Sequence, residues 1–200
     1  EIRPRDWSSD VCSSDLVIEK IMDSKDTTVG GGSASAVAGA MAAGLVGMVA
    51  RLSTGKEYGL SDDRYLGIAD ELDMLSVKLK DGAVADTQSY LGIKAAFSLP
   101  KSTEAEKAVR RTAVEGAAII AARVPLENGR AALRILELCK KMEGKFNTAA
   151  SSDMEAGIML AKMAVIDTAL NVEANLSLIK TNGINQELAA AALDLKNSAK

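Results

Sequence analysis

From Val17 onward, apolar side chains recur every three or four positions, and no stretch alternates apolar and polar residues for the length of a strand. A period near 3.6 residues is typical of helices that bury one face. The sequence therefore predicts an all-α fold, a single-domain helical bundle with long antiparallel helices. The expected helices cover residues 33–53, 62–97, 103–123, 125–142, 152–180 and 184–199, after a first helix that ends within 17–22.

The expected helix ends rest on residues with strong local preferences. Thr103 and Ser152 each precede a glutamate by three residues, which is the spacing of a capping box. Pro125 lacks a backbone N–H, so we expect it to open or kink the helix that it enters. Asn182-Gly183 is typical of a helix C-cap followed by a turn.

Residues 27–50 contain no charged side chain over 24 positions and are long enough to cross a lipid bilayer. They are mostly Ala, Gly and Ser rather than Leu and Ile, and a run of glycines lies near their start. We therefore expect a buried central helix and not a membrane span. A helix that is apolar on all sides must be covered on all sides, which favours a second subunit in so short a chain.

Residues 1–16 differ from everything that follows. They show no hydrophobic period, and the run from Arg5 to Leu16 resembles the translation of a sequencing-library adaptor read in frame. We expect 1–16 to be a non-native, adaptor-derived segment and 17–200 to be the helical domain. The segment contains the only Trp and one of the two Cys of the chain.

Composition excludes several classes of function. A net charge of −3 provides no basic surface for nucleic acid, and aromatic residues, at 3%, are too few for base stacking. Histidine is absent, which excludes His-based zinc sites and Ser-His or Cys-His catalysis by these residues. Acid–base chemistry must then rest on carboxylates, Lys, Tyr or water. Cys139, in a helical pattern, is typical of a core residue in a reducing compartment, which predicts a cytoplasmic protein.

Two features of the central helices could form a ligand site. The run Gly30-Gly31-Gly32-Ser33 leads into a helix whose free N–H groups face whatever lies beside it. It indicates either a tight structural turn or the close approach of a ligand. Asp86 and Tyr90 are four residues apart and share a helix face. Asp86 is either a solvated carboxylate or one held in a cleft, where desolvation raises the pKa and favours proton transfer.

Other polar residues also have two interpretations. Arg51 and Lys56 follow the apolar helix and either offset its dipole or hold an anionic ligand. Asn147 and Asp153 flank the start of a later helix, where capping and the helix dipole explain them without a ligand.

A polar stripe interrupts the apolar helix near the end of the chain. Asp167, Asn171 and Asn175 repeat every four residues and so lie on one face. Buried polar groups need hydrogen-bond partners, and each unpaired one costs about 1–3 kcal/mol. The stripe either makes helix–helix contacts or lines a wet cavity.

Five runs of residues, taken together and in this order, resemble the cyclodeaminase/cyclohydrolase family of folate one-carbon metabolism. The runs are Gly30-Gly31-Gly32-Ser33, Met48 to Tyr58, Asp86 to Lys101, Asn147 to Asp153 and Ala169 to Leu176. No single run is specific to this family, but the five runs together, in the family's order, are. The chain departs from the family pattern at Ser53, at Ser89 and in Thr27-Thr28-Val29.

The resemblance implies an all-helical homodimer that holds a folate in a cleft beside its helices. It implies that Asp86 is the catalytic acid or base, because Asp86 matches the family's Asp four residues before an aromatic. From motif matching we expect substrate-binding roles for Gly31, Gly32, Ser33, Arg51, Lys56, Tyr90, Asn147, Asp153, Asn171 and Asn175. Among these, Arg51 and Lys56 are assigned to the glutamate tail of folate. We expect no metal, no cofactor, no nucleic acid and no membrane to take part.

The family implies two related reactions. A cyclohydrolase adds water to 5,10-methenyltetrahydrofolate and yields 10-formyltetrahydrofolate, whereas a cyclodeaminase releases ammonia from formiminotetrahydrofolate and forms the methenyl compound. Since no formiminotransferase domain accompanies these residues, we expect the cyclohydrolase ahead of the cyclodeaminase. The alternative from a different class is a non-catalytic helical dimer, either a scaffold or a folate-binding protein, and a small membrane protein is a more distant one.

Overall fold

The structure, a computed structural model, describes residues 13–199, with side chains from Val17 to Ala199. Within this range the chain forms helices and no strands, which confirms the all-α prediction. The helices are α1 (Ser13–Met22), α2 (Gly31–Leu52), α3 (Asp62–Phe97), α4 (Glu104–Met142), α5 (Ser151–Leu176) and α6 (Asn182–Ser198), with a 3₁₀ turn at Thr148–Ala150. Of the expected adaptor-derived segment, residues 1–12 lie outside the described residues, and α1 begins within its remainder.

The long helices run antiparallel to their neighbours. Ser33 at the start of α2 bonds Asp86 near the end of α3, whereas Arg51 at the end of α2 bonds Asp73 in the middle of α3. Contacts between α3 and α4, between α4 and α5, and between α2 and α5 likewise join the early part of one helix to the late part of the other, so these pairs are antiparallel as well. The start of α2 therefore lies beside the C-terminal parts of both α3 and α5.

The uncharged helix α2 lies between α3 and α5. By length and composition it could cross a membrane, yet 61% of its most apolar 18-residue window is buried inside the bundle. Glycine permits close packing against α5, since a Cβ added at Gly157 would lie 2.6 Å from Val46 Cγ2. These contacts confirm the expected buried central helix.

α4 is one helix of 39 residues that continues through Pro125. The prediction of two helices, 103–123 and 125–142, is therefore wrong. A proline inside a helix costs about 3 kcal/mol, but Ala122, Pro125 and Leu126 are buried on the core side of this turn, and that burial offsets the local cost. The first turn of α4 confirms the capping box at Thr103, whose hydroxyl accepts from the Glu106 N–H at 3.2 Å while the Glu106 carboxylate accepts from the Thr103 N–H at 2.9 Å.

The remaining helix ends differ from the prediction near α5. A 3₁₀ turn capped by Asn147, whose Oδ1 accepts from the Ala149 N–H at 3.1 Å, leads directly into α5. Ser152 is thus already helical, and the capping box predicted there is wrong. Asn182-Gly183 does not end a helix but begins α6, because α5 has already ended at Leu176.

Candidate active site

The glycines that begin α2 admit a carboxylate from α3. A Cβ added at Gly32 would lie 2.4 Å from Asp86 Oδ1 and 2.7 Å from Asp86 Cγ, far inside van der Waals contact. The first turn of α2 has no acidic residue of its own, and its N-cap, Gly30, offers no side chain. Asp86 therefore supplies the negative charge that the positive end of the α2 dipole favours.

Asp86 is half-buried, and its surroundings alter its acidity. Burial raises the pKa of Asp86 above the usual 3.8, and the negative charge of Asp167 raises it further, while hydrogen bonds from Ser33 oppose the rise. The Ser33 hydroxyl donates to Asp86 Oδ2 at 2.8 Å, and Ser33 itself is fully buried. Of the two interpretations of Asp86, the structure shows the carboxylate held in a cleft.

The polar stripe of α5 faces the same turn of α2. Asp167 Oδ2 accepts from the hydroxyl of Ser35 and from Asn171 Nδ2, the latter at 3.1 Å. Asn171 Nδ2 also donates to the main-chain oxygen of Asp167 at 2.8 Å. A Cβ at Gly31 would lie 3.2 Å from Asp167 Oδ2 and 3.4 Å from Asn171 Nδ2. The stripe thus joins α5 to α2, and its Asn residues also line a cavity, so both interpretations hold.

Asn175 fills a gap in the backbone hydrogen bonds of α4. In a regular helix the N–H of residue 125 would bond the carbonyl of Ala121, but Pro125 has no N–H. Asn175 Nδ2 donates to that Ala121 oxygen at 3.1 Å and to the Asn171 oxygen at 2.9 Å. Because these two bonds use both amide hydrogens, Asn175 Oδ1 remains an acceptor.

These groups surround one cavity of about 240 Å³ between α2, α3, α4 and α5. Tyr90 stands at its rim with 41% of its surface exposed, and the Lys94 ammonium lies 5.7 Å from the centre of its ring. The lining residues are Thr27, Thr28, Gly30, Gly31, Gly32, Asp86, Ser89, Tyr90, Ile93, Ala121, Asn171 and Asn175. A larger cavity of about 420 Å³ between α4, α5 and the end of α6 contains none of the predicted site residues.

The structure brings together seven of the eleven predicted site residues. They are Asp86 with Gly31, Gly32, Ser33, Tyr90, Asn171 and Asn175, of which Ser33 reaches the cavity only through Asp86. The other four, Arg51, Lys56, Asn147 and Asp153, lie around the opposite end of α2. α2 has 22 residues, so at about 1.5 Å per residue roughly 30 Å separates the two groups.

At that far end of α2, contacts within the fold explain Arg51 and Asn147 without a ligand. The Arg51 guanidinium pairs with Asp70 at 3.2 Å and with Asp73 at 2.6 Å. Asn147 donates to the Leu52 carbonyl at 3.2 Å and so joins the end of α2 to the start of α5. Within one chain, these side chains do not reach the Asp86 cavity.

Sequence reasoning missed Ser35, Ala121 and the threonines of the loop before α2. Ser35 lies one turn after Gly31 on the helix, so the same spacing rule that joined Asp86 to Tyr90 could have suggested it. The open carbonyl of Ala121 was signalled by Pro125, four residues later. Thr27 and Thr28 carry no comparable signal.

Fold and site define a class of protein, a helical bundle that holds a half-buried carboxylate and two oriented amides around a small cleft. The sequence matches the formiminotransferase-cyclodeaminase family over residues 17–194. It is 32% identical over 168 residues to the methenyltetrahydrofolate cyclohydrolase of Methylorubrum extorquens, across 79% of this chain and 78% of that protein. The chain therefore belongs to the formiminotransferase-cyclodeaminase family, and the family resemblance seen in the sequence is confirmed.

A solved structure is similar as well. The crystal structure of formiminotetrahydrofolate cyclodeaminase from Thermotoga maritima has a TM-score of 0.77, covering 92% of this chain and 86% of that one. Identity between the two is 24%, so this likeness concerns the fold.

Proposed function

We propose that the protein is an enzyme that hydrolyses 5,10-methenyltetrahydrofolate to 10-formyltetrahydrofolate, with Asp86 as the catalytic acid–base group. The main support is the cleft carboxylate, whose pKa burial raises and which the first turn of α2 and Ser33 hold in place. The name of the 32% identical relative, a methenyltetrahydrofolate cyclohydrolase, supports the choice of reaction.

In the first step the substrate enters as a cation, with positive charge shared between N5, the bridging carbon and N10. The ionised Asp86 attracts this charge more strongly in a partly desolvated cleft than it would in water. A water molecule adds to the bridging carbon and gives one proton to Asp86. The product of this step is a neutral tetrahedral adduct with a hydroxyl on the former methenyl carbon.

In the second step the adduct collapses. Asp86 returns the proton to N5, the bond between N5 and the carbon breaks, and the hydroxyl proton leaves as the formyl C=O forms on N10. One proton is released to solvent over the whole reaction. Positioned proton transfer of this kind is worth about 10²–10⁴-fold in rate.

The amide oxygens of Asn171 and Asn175 are proposed to orient the substrate. The amide hydrogens of both side chains are occupied by backbone and carboxylate acceptors, so their oxygens are available to ligand donors. Tyr90, at the rim of the cavity, is proposed to cover the ring or to hold the attacking water, and Gly31 and Gly32 are proposed to let the ligand approach the start of α2.

Formiminotetrahydrofolate cyclodeaminase is the second candidate, favoured by the fold of the Thermotoga maritima protein. In that reaction N10 attacks the formimino carbon on N5, and ammonia leaves with a proton that Asp86 could supply. Both reactions pass through the same bridged cation and need the same carboxylate.

We further propose a homodimer. α5 exposes an apolar stripe at the helical spacing of 159, 163, 166 and 170, and its neighbour α2 exposes Met41, Met48 and Leu52. Exposed apolar faces of this kind are typical of interfaces. Sedimentation equilibrium should give twice the chain mass, and Ile166→Glu should shift the protein toward monomer. The cytoplasmic location stays a prediction.

Loss of the near-ultraviolet absorbance of methenyltetrahydrofolate tests the reaction directly. The wild-type protein should accelerate this loss over buffer, and Asp86→Asn should reduce kcat by about 10²–10⁴-fold. Asp81→Asn, which removes an exposed carboxylate from the same helix, is the matched control and should retain wild-type kcat. Turnover within about tenfold of wild type in Asp86→Asn would exclude the proton-transfer role. Ammonia release from formiminotetrahydrofolate tests the second candidate.

A further inference from the structure

We propose that Pro125 is a positioning residue: by leaving the Ala121 carbonyl without an N–H partner, it turns the Asn175 amide so that only its oxygen faces the cleft. The cleft then selects a ligand edge that donates hydrogen bonds. That the ligand is a reduced folate rests on the proposed function, whereas the geometry of Pro125, Ala121 and Asn175 does not.

The orientation of Asn175 follows from its partners. Both groups that its Nδ2 contacts, the Ala121 oxygen at 3.1 Å and the Asn171 oxygen at 2.9 Å, are carbonyls and can only accept. An amide turned the other way would set Oδ1 against two carbonyl oxygens and leave Ala121, which is buried, unpaired. Asn175 Oδ1 therefore acts as an acceptor toward the cavity.

Asp167 orients the Asn171 amide in the same way. Asn171 Nδ2 donates to the main-chain oxygen of Asp167 at 2.8 Å and to its carboxylate at 3.1 Å, so the Asn171 amide oxygen is also left as an acceptor. The wall formed by α5 thus presents two amide oxygens, and Asp86 faces the same cavity from α3. A pterin ring carries donors at its 2-amino group and at N3, so it suits such a wall. A ligand edge that carries only acceptors would be repelled by this α5 wall.

Proline in this position has no evident benefit for the helix itself. It is the least favourable residue in a helix interior, and α4 continues regularly on both sides of it. Alanine at 125 would restore the N–H that bonds the Ala121 carbonyl, and Asn175 would then lose one of the two acceptors that orient it. A purely structural role predicts a less stable variant, whereas the positioning role predicts a stable variant that binds its ligand more weakly.

Pro125→Ala separates these outcomes. Its thermal midpoint should equal or exceed that of wild type, while KM for methenyltetrahydrofolate should rise about five- to tenfold, the effect of one hydrogen bond, with kcat changed less than threefold. Pro100→Ala, in the exposed loop before α4, is the matched control and should change neither KM nor kcat. An unchanged KM in Pro125→Ala, whatever its thermal midpoint, would overturn the proposal.

A double-mutant cycle with Asn175→Ala tests the link itself. If Pro125 acts through Asn175, the double variant should have the KM of Asn175→Ala alone, and the two effects should not multiply. Asn175→Ala should also lower the thermal midpoint less in the Pro125→Ala background, because the Ala121 carbonyl then has a backbone donor. Independent effects in both measurements would refute the link. The thermal cycle needs no substrate, so a wild-type protein without turnover would contradict the proposed function alone.

Discussion

Replacing Gly32 by alanine adds one methyl group at the point where α2 meets Asp86. The added Cβ would lie 2.4 Å from Asp86 Oδ1 and 2.7 Å from both Cγ and Oδ2. The van der Waals energy of two non-bonded heavy atoms is lowest at a separation of about 3.5 Å, so the Asp86 carboxylate must move away by about 1 Å. It retreats into the cavity that it lines, and the bundle itself need not move.

A displacement of about 1 Å in a catalytic group costs about 10²-fold in rate. The same substitution favours the helix, since alanine loses less backbone entropy than glycine when the first turn of α2 forms. We therefore expect Gly32→Ala to lower kcat/KM for methenyltetrahydrofolate about 100-fold while the thermal midpoint stays within a few degrees of wild type.

Steady-state absorbance assays and thermal denaturation of the same preparation measure both effects. Gly116→Ala in α4 is the matched control, because an added Cβ there meets nothing within 4 Å and the position is exposed. It should keep wild-type kcat/KM. If Gly32→Ala folds and retains activity within threefold of wild type, the position of Asp86 against α2 is not what catalysis requires.

Three further substitutions test the electrostatics and the fold. Ser33→Ala removes a hydrogen bond that lowers the pKa of Asp86, so the acid limb of the pH–rate profile should move to higher pH. Asp86→Asn should raise the thermal midpoint at pH 7, because the raised pKa of Asp86 means that its ionisation costs folding stability, a cost that begins above pH 3.8 and is complete above the raised pKa; below pH 3.8 the gain should vanish. Thr103→Ala should cost about 1 kcal/mol in urea unfolding with kcat unchanged, because it removes the α4 capping box.

Local sequence patterns predicted a helix well where capping residues or a proline mark its two ends. The predicted range 62–97 coincides with α3, which begins after Ser61 and stops two residues before Leu99-Pro100. The same rule failed at Pro125, because burial of the surrounding side chains outweighs the cost of one missing N–H. Local preferences decide an exposed helix end, and tertiary packing decides a buried position.

The sequence indicated which residues could form the candidate site, but not where in the fold they meet. Asp86 and the glycines of α2 are more than fifty residues apart, and only the antiparallel pairing of α2 with α3 brings them together. Arg51 and Lys56 follow the glycine run in the same helix and loop, and the length of α2 itself carries them to the end away from Asp86. Motif order along a chain carries no information about which end of a 22-residue helix faces the ligand.

The charges around the cleft suggest how the proposed reaction would release its product. Among the described residues that line the cavity none is basic, while Asp86 and the amide oxygens of Asn171 and Asn175 face it and Asp167 stands behind. Such a cleft stabilises the methenyl cation electrostatically but gains nothing from the neutral formyl product. Hydrolysis therefore cancels the charge that held the ligand, and at equal shape the cleft should bind the substrate more tightly than the product.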